Sequence, residues 1–290
     1  MIAFVFPGQG SQKKGMGQGL FDEVREYVAA EKDVDAILGY SMRKLCLEDS
    51  DNRLKETQYT QPSLYVVNAL HCYKALGQGV HPAYVAGHSL GEYNALLAAG
   101  VFDFLTGLRL VKKRGELMSQ AKNGGMGAVI GLDANTITKV IQDNGLTSID
   151  VANFNSPSQT VVSGPVDDIK RIGPLFEKAG ARMFVPLQVS AAFHSRYVQD
   201  AAAAFADFLA PMSFGAPKIP VIANVTAQPY PTDNASESVK SLLVSQITRS
   251  VQWTQSIRYL SSQGVTEFKE MGPGNVLTRL IQQIQQEKSG

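Results

Sequence analysis

Short apolar runs alternate with longer amphipathic stretches toward both ends of the chain. The runs at 2–6 and 82–86 are each ended by proline or glycine, which predicts two buried strands. Further strands are predicted at 219–224 and 265–270. Helical spacing of apolar residues occurs at 20–30, 34–38, 60–76, 93–99, 107–121, 196–209, 236–248, 253–263 and from 276 onward. Strands and helices in alternation predict an α/β fold with a mostly parallel sheet.

The middle of the chain has a different pattern. Strand-like runs at 126–132, 148–153, 160–163 and 182–187 enclose helical stretches at 135–142 and 167–179. The resulting order, β-α-β-β-α-β, is typical of ferredoxin-like domains. We therefore expect a small subdomain at 125–189, inserted into a discontinuous α/β body that is formed by residues 1–124 and 190–290.

A candidate nucleophile lies in the turn between the strand at 82–86 and the helix that follows it. The segment Gly87-His88-Ser89-Leu90-Gly91 matches the pattern G-x-S-x-G. Small residues beside the serine permit a sharp turn, which exposes the hydroxyl and directs helix N–H groups at a bound oxygen. We predict that Ser89 is the nucleophile and that the N–H of Leu90 is the first donor of an oxyanion hole.

A serine hydroxyl needs a base at neutral pH, and the chain has four histidines. His71 falls within a predicted helix, His81 precedes a proline in a loop, and His88 adjoins the nucleophile. His194 is left by elimination as the candidate base. No Asp or Glu stands out as the third member of a triad, so a backbone carbonyl or a neutral amide is an alternative partner for the imidazole.

A second glycine-containing loop, Pro7-Gly8-Gln9-Gly10, follows the first predicted strand. A dinucleotide-binding loop would need glycine where the chain has Lys13, which disfavours that interpretation. In hydrolase-like sites the second oxyanion donor comes from a loop after another strand. The N–H of Gln9 is our candidate for this donor, and a plain tight turn is the alternative.

The helix predicted at 107–121 has a charged residue in its apolar arc. At 100° per residue, Arg114 falls among the apolar positions, whereas Lys112 and Lys113 do not. A buried guanidinium without a partner is costly, so we expect an anion beside it. This anion is either a carboxylate of the protein or a substrate carboxylate that the guanidinium binds through two hydrogen bonds.

Composition excludes several classes of protein. Of 290 residues, 44% are hydrophobic and 18% are charged, which is typical of a globular chain. Lys and Arg number 27 against 26 for Asp and Glu, so no basic excess indicates binding to nucleic acid or to a membrane. Two cysteines form neither a disulfide framework nor a metal-site spacing. Without a signal-peptide pattern or a long apolar window, we expect a cytoplasmic protein.

Several motifs occur in one order along the whole chain. They are FPGQGSQ at 6–12, TQP at 60–62, GHSLGEY at 87–93, RGELM at 114–118, NFNSP at 153–157, AFHS at 192–195, and VQW followed by GPG near the end. In this order they resemble the malonyl-CoA:acyl carrier protein transacylase family, and most closely its stand-alone members that serve polyketide synthases in trans. A member that serves fatty-acid synthesis is the nearest alternative.

The resemblance implies a fold and a set of roles. The fold is a hydrolase-like α/β body with an inserted ferredoxin-like subdomain. Ser89 would carry the acyl group, and His194 would be the base. The N–H groups of Gln9 and Leu90 would form the oxyanion hole, and Arg114 would hold the free carboxylate of malonate.

The resemblance also implies residues around the reacting groups. A main-chain carbonyl near Gln252 would orient the histidine. Gln61, Met118 and Asn155 would lie near the pocket. Phe193 resembles the malonyl-selecting form of its segment, in which branched-malonate enzymes tend to have serine.

The implied reaction is transfer of a malonyl group from malonyl-CoA to the phosphopantetheine thiol of an acyl carrier protein, without a metal or a cofactor. We expect a monomer whose partners are malonyl-CoA and the carrier protein. Because carrier proteins are acidic, Arg196 is a candidate contact for one. An acyl hydrolase that clears stalled acyl groups from carrier proteins is a second hypothesis, and a non-catalytic docking module is a third.

Overall fold

Two four-stranded sheets form the framework of the chain in a computed structural model that describes residues 1–287. The first sheet is parallel, in the order β7-β2-β1-β8, and consists of β1 (Ile2–Phe6), β2 (Tyr84–Gly87), β7 (Val221–Ile222) and β8 (Glu267–Glu270). The second sheet is antiparallel, in the order β4-β5-β3-β6, and consists of β3 (Gly124–Ile130), β4 (Asp150–Ser156), β5 (Gln159–Pro165) and β6 (Met183–Pro186). The predicted α/β class is confirmed.

Helices connect the strands of both sheets. They are α1 (Leu20–Glu23), α2 (Arg25–Leu38), α3 (Met42–Glu48), α4 (Thr57–Gly77), α5 (Gly91–Ala98), α6 (Phe104–Ser119), α7 (Ala134–Asp143), α8 (Val166–Lys178), α9 (Gln199–Leu209), α10 (Ala235–Thr248), α11 (Trp253–Ser262) and α12 (Val276–Glu287). Within residues 1–287, none of them combines the length and the apolar character that a membrane crossing requires.

The parallel sheet is buried on both faces. Along β1, Phe4 and Phe6 pack into the main hydrophobic core, whereas Ala3 and Val5 pack into a second cluster with residues of α11 and α12. Successive side chains of a strand point to opposite faces, so a strand covered on both sides needs apolar residues throughout. This is why β1 has a continuous apolar sequence.

The antiparallel sheet has one face on its own helices and the other on the rest of the molecule. Val129 and Val162 pack with residues of α7 and α8, whereas Met126, Ala128 and Val161 belong to the main core. The strand order, with β3 and β5 in the centre, agrees with a β-α-β-β-α-β unit. The boundaries of this subdomain at 125–189, and of the body at 1–124 and 190–290, stay a prediction.

Some element boundaries differ from the sequence-based expectation. Val24 has extended backbone angles and separates α1 from α2, which then runs without a break through the predicted gap at 31–33. Helix α6 begins three residues earlier than predicted, because the side chain of Asp103 accepts a hydrogen bond from the N–H of Thr106 and caps the helix. Apolar periodicity does not report such caps and breaks.

Two glycines allow the loop after β1 to lie against the turn after β2. A Cβ atom at Gly91 would lie 2.0 Å from the carbonyl oxygen of Phe6, and one at Gly8 would lie 2.5 Å from the carbonyl oxygen of His88. Both obstacles are backbone atoms, so no side-chain rotation could relieve the clash. The two motifs are therefore packed backbone against backbone at the carboxyl ends of neighbouring strands.

Replacing Gly91 by alanine should destabilise the fold, because β1 or α5 must move to make room for the methyl group. We expect a loss of about 3 kcal/mol or more in the free energy of unfolding, measured by urea denaturation. Gly77→Ala is the matched control, since Gly77 ends a helix and nothing lies within 4 Å of its added Cβ. Equal stabilities of the two variants would contradict the backbone contact.

Candidate active site

Ser89 lies in the sharp turn between β2 and α5. Its φ angle is 50°, in the left-handed region that non-glycine residues rarely occupy. Asn224 stabilises this strained turn from the end of β7. Its Oδ1 accepts from the N–H of Ser89 at 2.7 Å, and its Nδ2 donates to the carbonyl oxygen of Gly87. The strained conformation of the turn is therefore stabilised by a residue from a distant part of the chain.

His194 is in position to act as the base for this serine. Its Nε2 lies 2.8 Å from Oγ of Ser89, and its Nδ1 lies 2.8 Å from the carbonyl oxygen of Gln246 and 3.2 Å from that of Arg249. Carbonyl oxygens only accept, so Nδ1 must carry the proton and Nε2 is free to accept one. Burial, together with the charge of Arg114, lowers the pKa of His194 to about 3, which keeps the imidazole neutral.

A main-chain carbonyl orients the histidine, as expected, but the assignment of that carbonyl to Gln252 is wrong. The carbonyl oxygen of Gln252 accepts hydrogen bonds from the N–H and the hydroxyl of Ser256 at the start of α11. The carbonyls of Gln246 and Arg249 belong to the C-terminal end of α10, where the last carbonyls of a helix have no partner within the helix. These unpaired carbonyls replace the carboxylate of a triad.

Arg114 is 1% exposed and lies beside the serine. Its Nη1 donates to Oε1 of Gln61 at 2.8 Å, and its Nη2 donates to Oε1 of Gln246 at 2.9 Å and to Oγ of Ser89 at 3.3 Å. The guanidinium carbon lies 5.6 Å from the ring centroid of Tyr93. Within residues 1–287, no carboxylate forms an ion pair with Arg114. That Arg114 binds a substrate carboxylate stays a prediction.

Ser89, His194 and Arg114 open into a cleft of about 100 Å³ between the two sheets. On the side of the parallel sheet it is lined by Gln9, Gln61, His88, Leu90, Met118 and Phe193. On the side of the antiparallel sheet it is lined by Met126, Asn153, Leu187 and Val189. Asn155 lies behind this wall, where its Oδ1 pairs with Nε2 of His88 at 2.8 Å. Most of the surface that lines the cleft is apolar.

Gln9 and Leu90 lie on the same side of the cleft as the serine. Leu90 immediately precedes the first residue of α5, so its N–H belongs to the free N–H groups of a helix N-terminus. The N–H of Ser89 itself is occupied by Asn224 and cannot serve as a donor to substrate. That Gln9 and Leu90 form the oxyanion hole stays a prediction that agrees with these positions.

Sequence reasoning missed three buried polar residues around the serine: Glu92, Asn224 and Gln246. A signal for Gln246 was available, because it lies at helical spacing from the buried residues Val239 and Leu243 of α10. The same argument had identified Arg114. Asn224 follows a two-residue strand and carries no comparable signal, since its contacts depend on the sheet order.

Arg196, the candidate contact for a carrier protein, is exposed but forms an ion pair with Asp150. Its charge is therefore largely offset by a neighbour. In the part of the chain that the structure describes, no three His, Cys, Asp or Glu side chains form a cluster that could hold a metal ion.

The rate at which a sulfonyl fluoride modifies Ser89 should report the protonation of His194. With its pKa at about 3, the rate should stay constant as the pH falls from 8 to 5.5, whereas a histidine of ordinary pKa would lose about tenfold. Intact-mass spectrometry measures the adduct, and Ser89→Ala gives the unspecific background. A rate that halves near pH 6.5 would contradict the neutral, buried imidazole.

A family model described as the acyl transferase domain matches residues 3–290. The chain is 53% identical to the polyketide biosynthesis malonyl CoA-acyl carrier protein transacylase BaeC of Bacillus velezensis, with 99% of this chain and 98% of the relative covered. It is 39% identical to the malonyl CoA-acyl carrier protein transacylase of Escherichia coli, with 98% and 92% covered. The family resemblance inferred from the motifs is thereby confirmed.

Solved structures agree with this assignment. The crystal structure of a malonyl CoA-acyl carrier protein transacylase from Burkholderia pseudomallei is similar with a TM-score of 0.92 and 46% identity, covering 99% of this chain and 98% of that chain. A malonyl-transacylase in complex with a type II polyketide synthase acyl-carrier protein is similar with a TM-score of 0.91 and 35% identity, covering 98% and 92%. From its motifs, its fold and these similarities together, the chain belongs to the acyl transferase domain family.

Proposed function

We propose that the chain transfers a malonyl group from malonyl-CoA to the phosphopantetheine thiol of an acyl carrier protein, in trans to a polyketide synthase. The observation that carries the proposal is the buried guanidinium of Arg114 beside the Ser89–His194 pair. Its partners from α4 and α10 are the neutral amides of Gln61 and Gln246. A fork of this kind suits an acyl group that ends in a free carboxylate. The names of similar proteins support the same activity.

The first half of the reaction transfers the acyl group to the enzyme. Nε2 of His194 takes the proton of the Ser89 hydroxyl as Oγ attacks the thioester carbon. The negative charge on the carbonyl oxygen is stabilised by backbone N–H groups, for which Leu90 and Gln9 are the candidates. As the tetrahedral intermediate collapses, the carbon–sulfur bond breaks, and the CoA sulfur leaves with the proton from His194.

The second half returns the acyl group to a thiol. His194, neutral again, takes the proton of the phosphopantetheine thiol as its sulfur attacks the ester carbon of acyl-Ser89. The ester bond breaks, and the proton returns from His194 to Oγ of Ser89. Throughout the cycle, Nδ1 of His194 donates to the carbonyls of Gln246 and Arg249, so the ring keeps one orientation. The chemistry requires only the side chains and backbone groups described above.

Specificity for malonate follows from the position of Arg114 relative to the serine. Its Nη2 lies 3.3 Å from Oγ of Ser89, so a carboxylate one methylene away from the ester carbonyl is within its reach. Phe193 and Met118 line the same cleft with apolar surface and are 5% and 2% exposed, which favours a short acyl group without a branch. A single additional methyl group is worth only about 1–3 kcal/mol, so branched malonates are disfavoured rather than excluded.

An acyl hydrolase would use the same serine and histidine but would have no use for the arginine. Monoacyl chains carry no carboxylate, so they would leave the buried cation without an anion to balance its charge. A polyketide role is favoured over fatty-acid synthesis because the identity to the polyketide transacylases is 53%, against 39% to the Escherichia coli transacylase. A cytoplasmic location, a monomeric state and the absence of a cofactor stay predictions.

Mixing the chain with malonyl-CoA should give a covalent malonyl adduct that intact-mass spectrometry detects. Ser89→Ala should give none, because Oγ is the attacking atom. Adding a phosphopantetheinylated carrier protein should move the group to the carrier, and release of free malonate at the same rate without carrier would indicate a hydrolase instead. An adduct on Ser89→Ala would contradict the assignment of the nucleophile.

Arg114→Ala should change the choice of acyl group. We expect malonyl acylation of Ser89 to fall by about 10- to 100-fold, as charge-assisted hydrogen bonds are lost, and acetyl acylation to rise relative to malonyl. Arg109→Ala is the matched control, since Arg109 lies on the exposed side of the same helix. Rapid-quench acylation with the two CoA esters measures the ratio, and an unchanged ratio would refute the role of Arg114.

A further inference from the structure

Glu92 is a buried carboxylate behind the nucleophile that the mechanism above does not use. It lies in the first turn of α5 and is 1% exposed. Three groups donate hydrogen bonds to it. The hydroxyl of Tyr230 and the N–H of Asn224 donate to Oε1 at 2.6 and 3.2 Å, and Nε2 of Gln246 donates to Oε2. This set of donors is what an ionised carboxylate, which only accepts, requires.

Gln246 connects this carboxylate to the reacting groups. Its side-chain Nε2 donates to Glu92 and, at 2.8 Å, to the carbonyl oxygen of Ser89, whereas its Oε1 accepts from Arg114. Its backbone carbonyl accepts from His194. A glutamine amide can take two orientations that differ by exchange of Oε1 and Nε2. One orientation presents Oε1, an acceptor, to Arg114, and the other presents the NH₂ group, a donor.

We propose that Glu92 is a positioning residue: by accepting from Nε2 of Gln246 it fixes the amide orientation that presents Oε1 to Arg114, and so holds the guanidinium in place for a substrate carboxylate. Glu92 itself is separated from the substrate by Gln246, so it acts on acyl selectivity through Gln246 and Arg114. The inference rests on the proposed function.

The arrangement of donors predicts what happens when Glu92 becomes a donor. Tyr230 and the N–H of Asn224 both occupy Oε1, so an amide at position 92 must direct its oxygen toward them. Its NH₂ group then faces Nε2 of Gln246, donor against donor. Turning the Gln246 amide relieves this conflict but places an NH₂ group against Arg114. The turned orientation therefore takes the acceptor away from Arg114, whereas the unturned one keeps two donors in conflict.

Protonation of Glu92 on Oε2 has the same consequence, because the acid O–H then faces Nε2 of Gln246. Burial is the main cause that raises the pKa of Glu92 to about 7, partly offset by its three donors and the charge of Arg114. The other titratable groups that face this cluster are Tyr93, Tyr230 and His194. Their pKa values lie outside the range from 6 to 8, since burial raises those of the tyrosines and lowers that of the histidine. Arg114 keeps its charge, so Glu92 is the group that titrates there.

The test compares Glu92→Gln with Tyr230→Phe by rapid-quench acylation with malonyl-CoA and acetyl-CoA. Both variants remove one hydrogen bond from the same buried cluster, but Tyr230→Phe leaves the acceptor that faces Gln246 unchanged. We expect the malonyl-to-acetyl ratio to fall about tenfold in Glu92→Gln and to stay within twofold in Tyr230→Phe. Thermal unfolding of both variants measures the structural contribution separately. In the unmodified chain, the ratio should fall as the pH is lowered from 8 to 6.

An unchanged ratio in Glu92→Gln, or an equal fall in both variants, would overturn the proposal. If Glu92→Gln does not fold, a ratio that stays flat from pH 8 to 6 in the unmodified chain overturns it. Failure of the unmodified chain to form a malonyl adduct would instead reject the proposed function. The two failures are therefore distinguishable.

Discussion

The buried charge of Arg114 constrains the other polar groups around Ser89. A guanidinium in an apolar cleft is stabilised by acceptors for its N–H groups. Here two glutamine oxygens accept from Nη1 and Nη2, whereas Nε has no hydrogen-bond partner among the described residues. Amide oxygens satisfy the hydrogen bonds without neutralising the charge. A carboxylate in the same position would form an ion pair and compete with an acidic substrate.

The same constraint accounts for the unusual partner of His194. An aspartate on Nδ1, as in a serine protease triad, would bring a second negative charge close to Arg114 and Ser89. The carbonyl oxygens at the end of α10 fix the same tautomer and carry no net charge. Glu92, the carboxylate that does lie nearby, contacts the arginine only through Gln246. The negative charge of Glu92 is thus held one residue away from the position proposed for the substrate carboxylate.

Local sequence patterns predicted the main elements of the fold and three of the residues that the structure brings together: Ser89, His194 and Arg114. The glycine spacing around Ser89 required a strand, a sharp turn and a helix, because no larger residue fits where Gly91 meets the backbone of β1. Arg114 was identified because a charge on an apolar helix face is costly wherever the helix packs. The order of strands in the middle of the chain predicted the second sheet. These inferences rely on short-range patterns, which can be read from the sequence without knowledge of the fold.

Short-range patterns do not predict contacts between distant segments of the chain. Asn224, Gln246 and Glu92 come from three different segments of the chain. The error at Gln252 arose because Gln252 lies six residues after Gln246, at the start of α11, whereas the histidine faces the end of α10. The amino-acid sequence by itself determined the fold class, the candidate nucleophile, the candidate base and the buried cation. It did so through local periodicity, a serine flanked by glycines, the small number of histidines and the cost of burying one charge. Only the tertiary structure decided which neutral groups hold them, because hydrogen-bond partners depend on how helices from remote parts of the chain pack against the nucleophile turn.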